Sequence, residues 1–176
     1  MEKGYVQVFC GSGEGKSSAA LGKGLIFASE GKNVIIVQFM KEKSENEERF
    51  FQRLEPEIKM FRFEKKMTCF SELSDEEKKE EITNIKNGLN YAKKVLTTGE
   101  CDLLILDEVL GLIDEGVIDC SELIPVLASK SDNVNVLLTG IVLPDELKEY
   151  VDHISNIESL HWQYENIVIL SYYKFD

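Results

Sequence analysis

A chain of 176 residues is long enough to bury a substantial hydrophobic core, and its 43% hydrophobic and 30% charged residues are the proportions of an ordinary globular protein. Its 20 Lys and Arg stand against 32 Asp and Glu, a formal charge of -12. That balance argues against nucleic-acid binding, which draws most of its affinity from a basic face that neutralises phosphates.

Met1-Glu2-Lys3 runs directly into a strand-like segment, so no signal peptide is expected, and the longest apolar stretches, such as Val134–Leu143, are too short and too polar to span a bilayer. The four cysteines, Cys10, Cys69, Cys101 and Cys120, are scattered, with no close pair for zinc or a redox dithiol. They read as reduced thiols, and the expectation is a cytoplasmic protein with neither membrane nor nucleic acid as partner.

In chain order, Gly4–Phe9 is rich in β-formers and ends in glycines, which predicts a first strand. Ser17–Glu30 carries Ala19, Ala20, Leu21, Gly24, Leu25 and Ala28 at helical spacing, with Gly31 as its stop. Asn33–Phe39 is almost wholly apolar, as expected of a strand covered on both faces of a parallel sheet. Met40 to about Pro56 is charged and reads as part loop, part short helix, and Lys59–Phe63 as a further strand. Ser74-Asp75-Glu76-Glu77 matches the S-x-x-E capping box and opens a helix to about Leu96. Cys101–Asp107 is a buried strand ending in acid. A helix around Cys120–Ala128, a strand at Val134–Thr139 and a helix opened by Pro144-Asp145-Glu146 follow, and His153–Ile157 and Ile167–Leu170 would complete the sheet. Alternating strands and helices predict an α/β domain, a mostly parallel sheet with helices on both faces, spanning residues 1–176 without a linker or repeat.

Between the first strand and helix stands Cys10-Gly11-Ser12-Gly13-Glu14-Gly15-Lys16-Ser17, followed by Ser18. A phosphate cradle needs glycines that let the backbone turn its N–H groups inward, and a helix N-terminus for positive potential. It also needs a lysine to reach the phosphates and a hydroxyl for Mg²⁺. Gly11, Gly13, Gly15, Lys16 and Ser17 supply these parts, with Cys10 standing where a strict Walker A motif has glycine. A nucleoside triphosphate with Mg²⁺ is the ligand this implies. The run Leu103–Glu108 is an apolar strand followed by acid, a Walker B pattern that places Asp107 and Glu108 beside the phosphate loop as Mg²⁺ ligands, the division between them open.

The remaining chemistry-bearing side chains have plainer readings. His153 and His161 are too few and too far apart for a metal cluster, His153 reading as a strand or loop residue and His161, beside Trp162, as a surface or packing one. Ser17 and Ser18 have no neighbouring His to make a nucleophile. Phe50, Phe51, Phe61, Phe63 and Phe70 read as core rather than as a pocket for a flat ligand.

The segments VFCGSGEGKSSAALGKGL, VIIVQFMK, CDLLILDEV and VLLTGIVLPDELKEYVDHIS fall in an order that resembles the ATP:corrinoid adenosyltransferases of the cob(I)yrinic acid a,c-diamide type, over Tyr5 to about Ser159. The resemblance implies a RecA-like P-loop NTPase fold and transfer of the 5′-deoxyadenosyl group of ATP to the Co(I) of a reduced corrinoid, with release of triphosphate. It implies that Gly13, Gly15, Lys16, Ser17 and Ser18 hold the triphosphate within a loop that also includes Gly11, Ser12 and Glu14. Lys16 and Glu108 would act in catalysis, Ser17 and Glu108 on Mg²⁺, while Gln38 and Lys41 match the family's second strand without an assigned role. It also implies a homodimer and a flavoprotein reductase as the source of Co(I). Four features depart from the family pattern: Lys66-Met67-Thr68-Cys69 replaces a Gly-Phe-Thr-Trp-like stretch, Ile141 an arginine, Glu14 a basic residue, and the tail from Leu160 differs. Loss of cation at Glu14 and Ile141 is expected to weaken triphosphate binding. Two other functions fit the phosphate loop: a kinase or NTPase that cleaves the terminal phosphate, with Glu108 or Asp107 orienting the acceptor, and an ATP-binding module without turnover.

Overall fold

A computed structural model of the chain describes residues 3–40, 45–63 and 70–160. Lys41, the Lys66–Cys69 stretch, His161, Trp162 and the expected strand at Ile167–Leu170 lie outside the described residues.

Six strands form one sheet: β1 (Val6–Cys10), β2 (Val34–Gln38), β3 (Ile58–Arg62), β4 (Leu103–Asp107), β5 (Asn135–Thr139) and β6 (His153–Asn156). Their spatial order is β3-β2-β4-β5-β1-β6, and every pairing is parallel. Apolar runs such as VIIVQ and LLILD are buried at all five positions, because parallel strands are covered on both faces. Residue parity divides them. Val34, Ile36, Leu103, Ile105 and Leu137 pack with Ala20 and Phe51 under helices α1 (Lys16–Ser29) and α2 (Glu45–Gln52). Ile35, Val37, Leu104, Leu106, Val136 and Leu138 pack on the other face with α3 (Asp75–Thr98), α4 (Val109–Asp114) and α5 (Cys120–Ala128).

The capping box opening α3 is formed: Ser74 accepts from the Glu77 amide, and the Glu77 carboxylate accepts from the Ser74 amide at 2.9 Å. The helix continues past Leu96 to Thr98, where Gly99 at φ 66 turns the chain in a conformation open to glycine. The segment opened by Pro144 is a 3₁₀ helix, Asp145–Tyr150, rather than an α-helix. It has six residues before the Asp152 amide is drawn to the Val6 carbonyl at 2.8 Å to begin β6, and its bonds, such as Leu147 N–H to Pro144 O at 3.1 Å, have three-residue spacing. Helix α4 was not expected from the sequence. It starts at Glu108, whose φ of 60 turns the chain out of β4 as a glycine would.

All six strands run the same way, so their carboxyl ends share one edge, the edge where open parallel sheets bind ligands.

Candidate phosphate and metal site

The glycine loop leaves the carboxyl end of β1. Cys10 is still a strand residue, so the first loop position needs no left-handed backbone and tolerates a side chain where the strict motif has glycine. Burial pushes the Cys10 thiol above its ordinary range, with the Lys16 cation pulling weakly the other way. The left-handed positions are Gly11, φ 113, and Gly15, φ 98. Gly15 is the N-cap of α1. No side chain caps that helix, its first turn contains no acid, and a methyl at Gly15 would meet nothing within 4 Å. The result is an open, uncapped helix start with positive potential, which suits an anion. Lys16 folds back across the loop, its Nζ donating to the carbonyls of Gly11 at 2.9 Å and Gly13 at 2.8 Å. Ser12, Glu14 and Ser18 are exposed, and Ser17 is half-buried.

A segment following β6 runs along the outer side of the loop. The Ile157 amide donates to the Cys10 carbonyl at 2.7 Å, the Gly13 amide to the Ile157 carbonyl at 2.8 Å, and the Glu14 amide to Ser159 Oγ at 3.2 Å. Glycine at 13 is required by this approach: a Cβ there would lie 2.7 Å from backbone atoms of Glu158 and Ser159.

Asp107, at the carboxyl end of β4, is buried. Its Oδ2 accepts from Gln38 Nε2 at 2.8 Å and its Oδ1 from Thr139 Oγ1 at 2.8 Å. Thr139 Oγ1 in turn accepts from the Glu108 amide at 2.7 Å. Gln38 Oε1 accepts from Arg62 Nε at 2.6 Å, and Arg62 Nη2 donates to Glu47 Oε2 at 2.5 Å. Sheet register explains the row, since Gln38 is paired with both Arg62 and Asp107 across parallel strands.

A cavity of about 170 Å³ opens between α1, α2 and the sheet, lined by Ser17, Ser18, Gln38, Glu47, Phe51, Met60 and Asp107 among others. Ser17 and Asp107 are thereby brought to one space, whereas the Glu108 side chain is not among its walls: a Cβ on Gly111 of α4 would stand 3.6 Å from Glu108 Oε2. Among the described residues no three His, Cys, Asp or Glu side chains gather as a metal cage. A hydroxyl and a carboxylate facing one cavity beside an anion cradle fit a hard cation that completes its shell with water and phosphate oxygens, as Mg²⁺ does.

The sequence reading missed Gln38's role, Arg62, Thr139 and Glu47. A polar residue ending an otherwise apolar strand, as in VIIVQ and NVLLT, is the one signal that marks Gln38 and Thr139. Of the aromatics, Phe51 is core and Phe61 and Phe63 pack on Tyr91 with centroids 4.7 and 5.7 Å away, while Phe50 is exposed. His153 is a β6 residue set edge-on to Tyr5. Among the described residues no helix is long and apolar enough to cross a membrane.

Among solved structures, a KaiC-like protein of Pyrococcus horikoshii OT3 aligns with TM-score 0.52 at 14% identity, over 90% of this chain and 75% of that one. At that identity the likeness concerns fold alone, and it is the RecA-like P-loop NTPase fold. The corrinoid adenosyltransferase of Escherichia coli strain K12 is 27% identical over 156 residues, 89% of this chain and 77% of that protein. Corrinoid adenosyltransferase CobA of Salmonella typhimurium strain LT2 has the same identity over the same length. The family model described as ATP:corrinoid adenosyltransferase BtuR/CobO/CobP matches residues 2–169, and with nearly the whole length so covered, this chain belongs to that family.

Proposed function

We propose that the protein, acting as a single domain, transfers the 5′-deoxyadenosyl group of ATP to the Co(I) of a reduced corrinoid and releases triphosphate. Family membership supports ATP-dependent adenosyl transfer in general. The observation that carries the reading to this chain is the loop itself, in which Lys16 Nζ spans the Gly11 and Gly13 carbonyls over an uncapped helix start. In the transfer, the cobalt electron pair forms the bond to ribose C5′. The C5′–O bond breaks, and its pair leaves on the triphosphate. Co(I) is itself the nucleophile, so the protein needs no general base. Its work is alignment of cobalt with C5′ and stabilisation of charge on the departing group.

Lys16, moving off the two carbonyls, and the N–H groups at the open start of α1 would meet that charge. Ser17 and Asp107 would hold Mg²⁺, with support from the cavity they share, whereas the Glu108 carboxylate lies toward Gly111 of α4, outside that cavity. The ion supplies positive charge to the leaving triphosphate when bound. Ser18, exposed at the first turn of α1, would donate to a phosphate oxygen.

Phosphorus NMR of the products from ATP, Mg²⁺ and chemically reduced cobalamin under anaerobic conditions tests the reaction type. Triphosphate formed only when corrinoid is present supports adenosyl transfer. ADP formed without corrinoid assigns the site to terminal-phosphate cleavage instead.

A further inference from the structure

We propose that Arg62 and Gln38 are positioning residues for the Asp107 carboxylate, forming a relay across β3, β2 and β4 that aims this acid at the metal site. The proposal rests on the reading of Ser17 and Asp107 as Mg²⁺ ligands.

The case begins with donor chemistry. A guanidinium has only donors, so Arg62 Nε can bond Gln38 solely through the amide oxygen, and does so at 2.6 Å. With Oε1 occupied, the NH₂ end of Gln38 must point the other way, and it donates to Asp107 Oδ2 at 2.8 Å. Arg62 therefore decides which end of the amide faces the carboxylate. Reversed, Gln38 would set its oxygen against an anionic oxygen and release Asp107 to rotate. On the opposite side Thr139 holds Oδ1 at 2.8 Å, so the carboxylate plane is gripped from β2 and from β5. Arg62 is itself anchored by Glu47 on α2, which also lines the cavity.

Stability alone is a poor reason for this row. The Arg62 side chain is 6% exposed, and its Nη1 is buried without a partner. Buried ionic groups of this kind are often matched or bettered by apolar residues of similar volume, because desolvation offsets the attraction. A row that leaves an N–H unsatisfied yet runs from Glu47 through Arg62 and Gln38 to end on the Asp107 carboxylate is built for orientation. Partners behind a metal ligand commonly set its affinity, and losing one costs roughly 10–100-fold.

The test is calorimetric titration of ATP at stepped Mg²⁺ concentrations, with circular dichroism to confirm folding. For Gln38→Leu we expect the Mg²⁺ concentration that half-restores tight ATP binding to rise roughly tenfold. Arg62→Lys retains the cation and the fold but cannot reach Gln38 and Glu47 together. It should show a smaller rise, and it stands in if Gln38→Leu does not fold. Combined with Asp107→Asn, Gln38→Leu should add nothing, since both act through one carboxylate. Wild-type Mg²⁺ dependence in Gln38→Leu and Arg62→Lys, or an additive double variant, overturns the relay alone. A wild type whose ATP affinity ignores Mg²⁺ overturns the metal reading and the relay with it.

Discussion

Replacing Thr139 by valine tests the Asp107 environment most sharply, because shape is nearly preserved while a hydroxyl is lost. Thr139 is 0% exposed, donates to Asp107 Oδ1 at 2.8 Å and accepts from the Glu108 amide at 2.7 Å. A hydrogen bond to a charged group is worth about 1.5–3 kcal/mol, and a buried amide left without an acceptor costs about 1–3 kcal/mol. The two together give a loss of roughly 2.5–6 kcal/mol, a large part of the about 5–15 kcal/mol that holds a typical domain. At about 2–4 °C per kcal/mol for a chain of this size, the melting temperature of Thr139→Val should fall by roughly 5–24 °C. Thr139→Ser keeps both bonds and loses one methyl, so it should cost about 1 kcal/mol. Scanning calorimetry of the three proteins decides the matter. A Thr139→Val melt within about 2 °C of wild type, or a Thr139→Ser melt just as depressed, would refute the assignment of these bonds to the hydroxyl.

Other expectations follow from the same geometry. Lys16→Ala should weaken ATP binding by roughly 10–100-fold, the loss of one charge-assisted contact, and an unchanged dissociation constant in a titration would remove the phosphate-loop assignment. Gly13→Ala must displace the backbone at Glu158 and Ser159, costing about 1–3 kcal/mol, whereas Gly22→Ala, inside α1 with nothing within 4 Å of the added carbon, should stabilise by about 0.4–1 kcal/mol; urea denaturation yielding equal effects would contradict both. Burial, with Asp102 reinforcing it, pushes the Cys101 thiol from 9.0 up to about 12. Because the unfolded thiol ionises first, the folded state should lose about 4 kcal/mol of this contribution as pH rises from 9 to 12. Cys101→Ala should show a shallower alkaline decline than wild type in denaturation at stepped pH, and parallel curves would refute the argument.

The fold was legible because its signals are local. VIIVQ and LLILD declare buried parallel strands by being apolar throughout, the Ser74–Glu77 pair declares a helix start, and Cys120–Ala128 is found at the limits the sequence suggested. Helix α4 was hidden because its start depends on Glu108 adopting a left-handed backbone that no residue type announces. The 3₁₀ geometry of Asp145–Tyr150 was hidden as well, being imposed by the short distance to β6 rather than by composition. The loop residues Gly11–Ser18 could be named because they are contiguous. Gln38, Arg62 and Thr139 could not be joined to Asp107, because Gln38 lies 69 and Thr139 32 residues from it and Arg62 24 from Gln38, and they meet only through sheet register. Strand parity shows which face each residue takes but not which residue on the next strand it will meet.

The most direct test of the account is anaerobic incubation of the protein with Mg²⁺, chemically reduced cobalamin and ATP labelled at ribose C5′, following both the corrinoid spectrum and the label. Adenosyl transfer predicts that the Co(I) absorption disappears as the label enters the corrinoid in a light-sensitive organocobalt bond. A persistent Co(I) spectrum, with labelled ATP bound and intact, would contradict it.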